Sequence, residues 1–367
     1  MTSPRERFAA LMAGQGGPVP LDIGGTSLTG MSGPCAERLA RRLGLSGEPE
    51  RTWQGLDERI LLWAGTPFRS VGGIVSPPSV HSRRLAEDRF VNCWGIEYAR
   101  MGQYWEISRS PLRGATLDDL RAFRWPEPRI EEALLAKWER QARELRDQGR
   151  YVVVGEHPVF GILELGCWMC GYDDFLMKMV LDEPFVRAFF DRYFEIQMAI
   201  VEQYYAVLGP YLDLTTSGDD FGAQQGPLLS PELFDRLIAP HFSARIARTK
   251  ELTRGWFWHH TCGSVVALLD RLIDCGVDIL NPVQTSAAGM APADLKRRAG
   301  GRLAFWGGMD VQQFLPRATP AQVRARADEL SAQLGRGGRY VMAPAHNIQA
   351  DVPPENIVAW VEHLTGR

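Results

Sequence analysis

His260 and Cys262 have the types and spacing to share one metal ion. Side chains alternate along an extended strand, so Trp256, Trp258, His260 and Cys262 fall on one side and Phe257 and His259 on the other. An imidazole and a thiolate two residues apart on one face can bind the same ion. Zinc takes such ligands in tetrahedral geometry, and a catalytic zinc site keeps a fourth position open. The spacing alone does not require a metal, because buried cysteines usually pack and a buried histidine is more often a hydrogen-bonded core residue. Cys167 and Cys170 have CxxC spacing, but no second CxxC accompanies them and their segment reads as a helix after Pro158, so they read as packing. Cys275, before Gly276 at the end of a helical run, reads as structural, and Cys35 and Cys93 carry no contextual signal.

Asp219 and Asp220 are a second candidate pair. Adjacent carboxylates on a turn point to different sides, so only one should meet a substrate. Partly buried, that one could move a proton; charged, it could bind a cation or an array of pyrrole N–H groups. Alternatively both cap the turn.

These residues belong to a wider pattern. Eight short β-type runs are expected at 19–24, 68–72, 151–155, 212–217, 256–261, 278–282, 303–307 and 340–344. Polar residues follow nearly all of them: Asp22 with Gly24-Gly25, Glu156-His157, Asp219-Asp220, His260 to Gly263, Asn281 to Gln284, Gly307 to Asp310, and His346-Asn347. Eight strands suffice for a closed barrel, and polar residues at strand C-termini converge on its mouth, where such enzymes do their chemistry. Helix starts are signalled at Ser230-Pro231-Glu232, Thr319-Pro320 and Pro353-Pro354-Glu355. Residues 189–205 read as an amphipathic outer helix whose aromatics pack the core. Residues 77–125 break the rhythm; with Trp94, Tyr98, Tyr104, Trp105 and Trp125 and alternating segments at 90–98 and 103–108, they read as a hairpin inserted between the second and third strands. Over the mouth it would be a substrate lid or a decorative edge.

The expected fold is therefore α/β, a (β/α)8 TIM barrel forming one domain over residues 1–367. The 367 residues are 45% hydrophobic and 23% charged, which suits a soluble chain with a large core. A net charge of −3 gives no basic field for nucleic acid. No apolar run is long enough to span a membrane, and the first residues lack a secretory signal, so a cytoplasmic protein with free thiols is expected.

The segments GDDFGAQQGPLLSPELF (218–234), HHTCGSVVALLDRLIDCGVDILNPVQ (259–284), FWGGMDVQQFLP (305–316) and APAHNIQADVPPENI (343–357) resemble the uroporphyrinogen decarboxylase superfamily, over a match running from about residue 18 to the C-terminus. The resemblance implies a (β/α)8 barrel. True uroporphyrinogen decarboxylases carry an Arg-Gln-Ala-Gly-Arg motif after the first strand to hold the substrate's carboxylates. This chain has Asp22-Ile23-Gly24-Gly25-Thr26 there, and Arg69 after the second strand is the remaining cation.

The methylcobamide:coenzyme M methyltransferases and, more distantly, cobalamin-independent methionine synthase are similar to this chain in the His-x-Cys motif, which supplies two zinc ligands in them. Their third ligand, a cysteine after the eighth strand, corresponds to His346, which the resemblance makes either a third zinc ligand or a proton-handling residue without metal. Where methionine synthase has a glutamate near the sixth strand, this chain has Asn281 and Gln284.

The resulting expectation is a zinc-dependent methyltransferase or demethylase moving a methyl group between a small substrate or thiol and a corrinoid, free or on a partner protein. His260, Cys262 and His346 would hold zinc; Asp219, Asp220, His346 and Gln284 would be catalytic. Asp22, Glu156, His157, Asn281, Asp310 and Asn347 would bind substrate, Glu156, His157 and Asp310 on position at the mouth alone. The alternatives are a metal-independent decarboxylase of a porphyrinogen or other carboxylic acid, and a non-catalytic corrinoid- or tetrapyrrole-binding barrel. A homodimer is the expected assembly.

Overall fold

Short runs of β-branched and aromatic residues pair in parallel, in sequence order, to form a curled seven-stranded sheet: β1 (Phe68–Gly72), β6 (Val152–Glu156), β7 (Leu214–Gly218), β8 (Trp256–His260), β9 (Ile279–Asn281), β10 (Ala304–Met309) and β11 (Tyr340–Pro344). The computed structural model describes residues 2–49, 56–102 and 104–367. The eighth position is filled by an extended segment. Leu21 makes one parallel bridge to Met342 of β11, flanked by Asp22 N–H to Met342 O (2.9 Å) and Met342 N–H to Pro20 O (2.9 Å). Beside β1, Ile23 N–H donates to the Thr66 hydroxyl (3.1 Å), which donates back to Ile23 O (3.3 Å). The strand expected over 19–24 is thus a single bridge: Pro18 and Pro20 have no N–H to donate, and Gly24 turns the chain at φ +80°.

The two-residue period of the strands sorts the core into two parts. Phe68, Trp258, Ile279, Trp306 and Val341 fill the inside of the curl, while Phe257, Leu280, Phe305 and Met342 face the surrounding helices. Inside, the Trp258 and Trp306 rings stack at 4.7 Å and 17°, and Phe68 lies 4.5 Å from Trp306. Burying a side chain such as Phe68 contributes about 1.5–3 kcal/mol. The floor is closed by the helix Pro4–Met12, which starts with a Ser3–Glu6 capping box and sets Phe8 edge-on against Phe68 (5.6 Å) and Trp256 (5.2 Å), the first residues of β1 and β8. The mouth is at the opposite end.

The helix-start signals hold: Ser230 caps a helix at Pro231, Thr319 forms a capping box before Pro320–Leu334, and Pro354–Thr365 begins at its proline. Residues 189–205 lie within Glu183–Leu208, with Phe189, Phe190, Tyr193, Tyr204 and Tyr205 buried. The insertion after β1 is larger than the expected hairpin: β2 (Arg83–Ala86), β3 (Arg89–Val91), β4 (Glu97–Met101) and β5 (Tyr104–Arg109) form a four-stranded antiparallel sheet. The segment expected at 90–98 is broken at Asn92, whose side chain accepts from Trp94 and Ile96 N–H and turns the chain between β3 and β4. Gln103, where the second alternating segment was expected to begin, lies outside the described residues. Among the described residues no helix is long and apolar enough to cross a membrane.

Two outcomes follow from the inner packing. At Gly307 (φ +125°) a Cβ would lie 1.8 Å from the Pro282 carbonyl oxygen, so Gly307→Ala is expected to cost about 2 kcal/mol or more, read as a lowered urea midpoint at unchanged m-value. Asp22 is fully buried; desolvation pushes its pKa up to about 7, against bonds from Thr29, Gly25 N–H and the Trp306 indole. Its folded pKa thus exceeds the unfolded value of about 3.9, so the native state holds the extra proton and this group's contribution falls as pH rises from about 4 to about 7. Asp22→Asn removes that dependence. The variant's stability relative to wild type should therefore improve across that window in urea titrations, and a difference flat in pH would mean Asp22 is ionised throughout.

Candidate metal centre at the mouth of the barrel

Strand register brings the predicted ligands together. His260, the last residue of β8, pairs with Gly218 on one side and Asn281 on the other, and its side chain continues the inward series of Trp256 and Trp258. His260 Nδ1 lies 2.6 Å from Asn281 Oδ1, and Asn281 Nδ2 donates to Trp306 O at 3.1 Å. The amide is thereby oriented with its oxygen toward the imidazole, so Nδ1 carries the proton and Nε2 is left with a lone pair toward the mouth. Cys262 Sγ lies 3.3 Å from that Nε2, and the His346 ring is 5.6 Å away by centroid, at 69°. One ligand atom from each of His260, Cys262 and His346 lies within 4.8 Å of the others.

The donors fit a zinc ion. Bond lengths of about 2.0 Å to nitrogen and 2.3 Å to sulfur in a tetrahedron separate N and S by about 3.5 Å, close to the observed 3.3 Å. Burial, and next the neighbouring His260, push the His346 pKa down, which keeps the imidazole neutral as a ligand must be. Burial, and then Asp220, push the Cys262 thiol up, so the thiol stays protonated unless a cation compensates. Asn281, expected to bind substrate, instead orients His260 from behind.

The carboxylates part company. Asp219 is 1% exposed and accepts from Leu163 N–H (3.1 Å) and Glu164 N–H (2.9 Å), capping the helix Ile162–Cys170 rather than facing the mouth. Its pKa rises to about 7, with desolvation outweighing those bonds. Asp220 is the one that reaches the centre, accepting from Cys262 N–H at 2.7 Å and lying 4.0 Å from His260 Nε2. Gln284 does not join the ligands; it accepts from Gly263 N–H (2.9 Å) and braces the loop after β8 against Gln224.

His157 presents a second acceptor. The Thr216 hydroxyl accepts from His157 N–H (2.9 Å), is 3.4 Å from Glu156 Oε2 as its donor, and lies 3.0 Å from His157 Nδ1. Nδ1 therefore holds the ring proton and Nε2 is bare; burial lowers the pKa to about 3 and keeps it so. Glu156 is occupied by Ser27, accepting from its N–H and hydroxyl at 2.8 Å each, and ties the first loop to β6. Asp22 bonds Trp306 inside the barrel, Asp310 caps the turn at Gln312, Gln313 and Phe314, and Asn347 accepts from Gly30 N–H at 2.7 Å. These four side chains, expected at the substrate, are taken up by the scaffold. Arg69, the expected remaining cation, is 5% exposed and bonded to Glu58 and to the Thr66 and Phe68 carbonyls.

Glu164 was not foreseen. Burial, and then Asp219 and Asp220, hold its carboxyl well above the usual range. It is the single charge between Val159 and Gly171, and a lone acid in an apolar helix was the available signal.

The model of the family described as "Uroporphyrinogen decarboxylase (URO-D)" matches residues 145–366. Curated proteins named uroporphyrinogen decarboxylase are similar over short stretches: 33% identity over 94 residues with that of Pectobacterium carotovorum (26% of this chain, 25% of that protein), and 37% over 70 residues with that of Serratia proteamaculans (19% of each). The aligned part thus spans a quarter or less of those relatives' length. A methyltransferase from Methanosarcina mazei shares the fold along the whole chain, with TM-score 0.66, 17% identity, and coverage of 100% of this chain and 99% of that one. With the family model covering well over half of its residues, the chain belongs to the uroporphyrinogen decarboxylase (URO-D) family.

Proposed function

We propose that this chain is a zinc-dependent methyltransferase or demethylase that moves a methyl group between a small substrate or thiol and a corrinoid. The observation that carries the reading is the meeting of His260 Nε2, Cys262 Sγ and His346 at the mouth, with the His260 tautomer set by Asn281. A zinc ion supplies Lewis acidity, which lowers the pKa of a thiol at neutral pH. The chain's own groups prepare for it. Asn281 holds the Nδ1 proton of His260, Asp220 fixes the backbone that carries Cys262, and burial keeps His346 uncharged. The stacked, fully buried Trp258 and Trp306 form an apolar floor under His260. A corrinoid, alone or on a carrier protein, would approach from the open mouth.

The names of the curated relatives favour a second reading, a decarboxylase in which Asp220 and His346 handle protons. That chemistry calls for cations opposite the substrate's carboxylates, and Arg69 is committed to Glu58 behind the sheet.

Elemental analysis of protein purified without a metal-affinity tag tests the choice. About one zinc per chain is expected in wild type, lost in Cys262→Ala and His346→Ala, with affinity about 10–100-fold weaker in Asn281→Ala. Wild type without zinc, even after zinc is supplied during expression, overturns the metal reading and leaves the decarboxylase.

A further inference from the structure

The strands begin at the face opposite the mouth, and there three arginines line one open cavity of about 740 Å³. They come from separate parts of the chain: Arg5 from the helix Pro4–Met12, Arg146 from the helix Glu132–Gln148, and Arg254 from the turn between the helix Ala239–Thr253 and β8. Asp213, just before β7, and Trp256, the first residue of β8, share the lining. The metal centre lies at the other end of the strands and uses none of these groups.

The carboxylate in the cavity is already committed. Asp213 Oδ1 accepts from Arg5 Nε (2.7 Å) and from Arg146 Nη1 (2.8 Å), and Oδ2 accepts from Val153 N–H (2.9 Å). Its backbone is fixed as well, with its N–H donating to Val153 O (2.8 Å) and its C=O accepting from Trp256 N–H (3.2 Å). Each guanidinium has five N–H donors, so Arg5 and Arg146 keep most of theirs. Glu251, also in the lining, is engaged by Arg248 at 2.8 Å. Arg254 makes no ion pair or side-chain hydrogen bond among the described residues. Its backbone caps the helix in the left-handed region, at φ 55°. Glycine takes that conformation freely, whereas a side chain there is strained. The strain falls at the position whose guanidinium lines the cavity.

Three positive charges less the one negative charge of Asp213 leave an excess of two in the cavity. Guanidinium forks match phosphate oxygens in geometry as well as charge. We propose that this cavity binds a soluble phosphorylated ligand, with Arg5, Arg146 and Arg254 holding its phosphoryl oxygens. Arg5 stands on the helix that closes the floor, and the other groups stand at the starts of β7 and β8 or beside them. The bound ligand therefore clamps that helix to the barrel and stabilises the folded chain. The site is independent of the zinc reading.

The test is calorimetric titration of the full chain with sodium pyrophosphate and with sodium phosphate, at constant ionic strength set with sodium chloride. Saturable binding of pyrophosphate is expected, weakened about 10-fold in Arg254→Gly and in Arg5→Gln. It should be unchanged in Arg317→Gln, which alters an exposed arginine in the segment after β10. Arg254→Gly relieves the backbone while removing the guanidinium, so its urea midpoint without ligand should not fall, and lost binding there is not lost folding. Pyrophosphate should raise the midpoint of wild type more than that of the variant. No saturable binding, or an equal loss in Arg317→Gln, overturns the proposal. So does unchanged binding in both cavity variants, the result that chelation of a metal by pyrophosphate would give. A lipid headgroup carries the same phosphate chemistry: association with phosphatidylserine vesicles by a protein that ignores pyrophosphate would overturn the soluble ligand.

Discussion

The centre depends on parallel register. β7, β8 and β9 are aligned so that Gly218, His260 and Asn281 end at one level, and the inward period of β8 turns His260 to the same side as Trp256 and Trp258. A slip of one residue would send His259 inward and His260 among the helices. Parallel strands buried on both faces resist such a slip, because inner and outer side chains differ in shape and polarity. The Trp258–Trp306 stack fills the inside of the curl, while His259 packs outside against Phe221 and Phe242.

Above that level the polar groups divide by what their partners leave free. Asp219, Asp310, Glu156, Asp22 and Asn347 have their acceptor atoms filled by backbone, hydroxyl or indole donors and serve as joints between loops and strands. His260, Cys262, His346, Asp220 and the Nε2 of His157 retain capacity toward the mouth. The joints are what hold the others still: Asp219 fixes the start of the helix that carries Glu164, and Asn281 fixes the ring of His260. Positioning by fully occupied neighbours is what a reactive group with loose ends requires.

The charge at the mouth is low. The groups with free capacity are neutral imidazoles, a thiol and carboxyls, whereas Arg69 is turned away against Glu58 and Tyr151. Family membership fixes the barrel and the level of the active face. The residues at that face set which substrates it admits.

Much of this was legible in the sequence. Seven of the eight expected runs are strands, because buried parallel strands are continuous in β-branched and aromatic residues, and His-x-Cys needs only the two-residue period to point both groups one way. The sequence determined the barrel, the helix starts and the level of the polar ring. It could not determine which polar residues were free. Asp219 and Asp220 are chemically identical neighbours, and only the helix start at Ile162, 55 residues from Asp219 to Glu164, consumes one of them. The Val19–Gly24 run is not a strand because Pro18 before it and Pro20 within it weaken pairing that its hydrophobic residues invite. Asn92 split one expected strand through a side-chain turn that composition does not reveal. Glu164 was not legible because its burial beside Asp219 and Asp220 exists only in the folded chain. Local patterns set elements and facing; long-range hydrogen bonds and desolvation, which exist only in the folded chain, decided which groups were left to do chemistry.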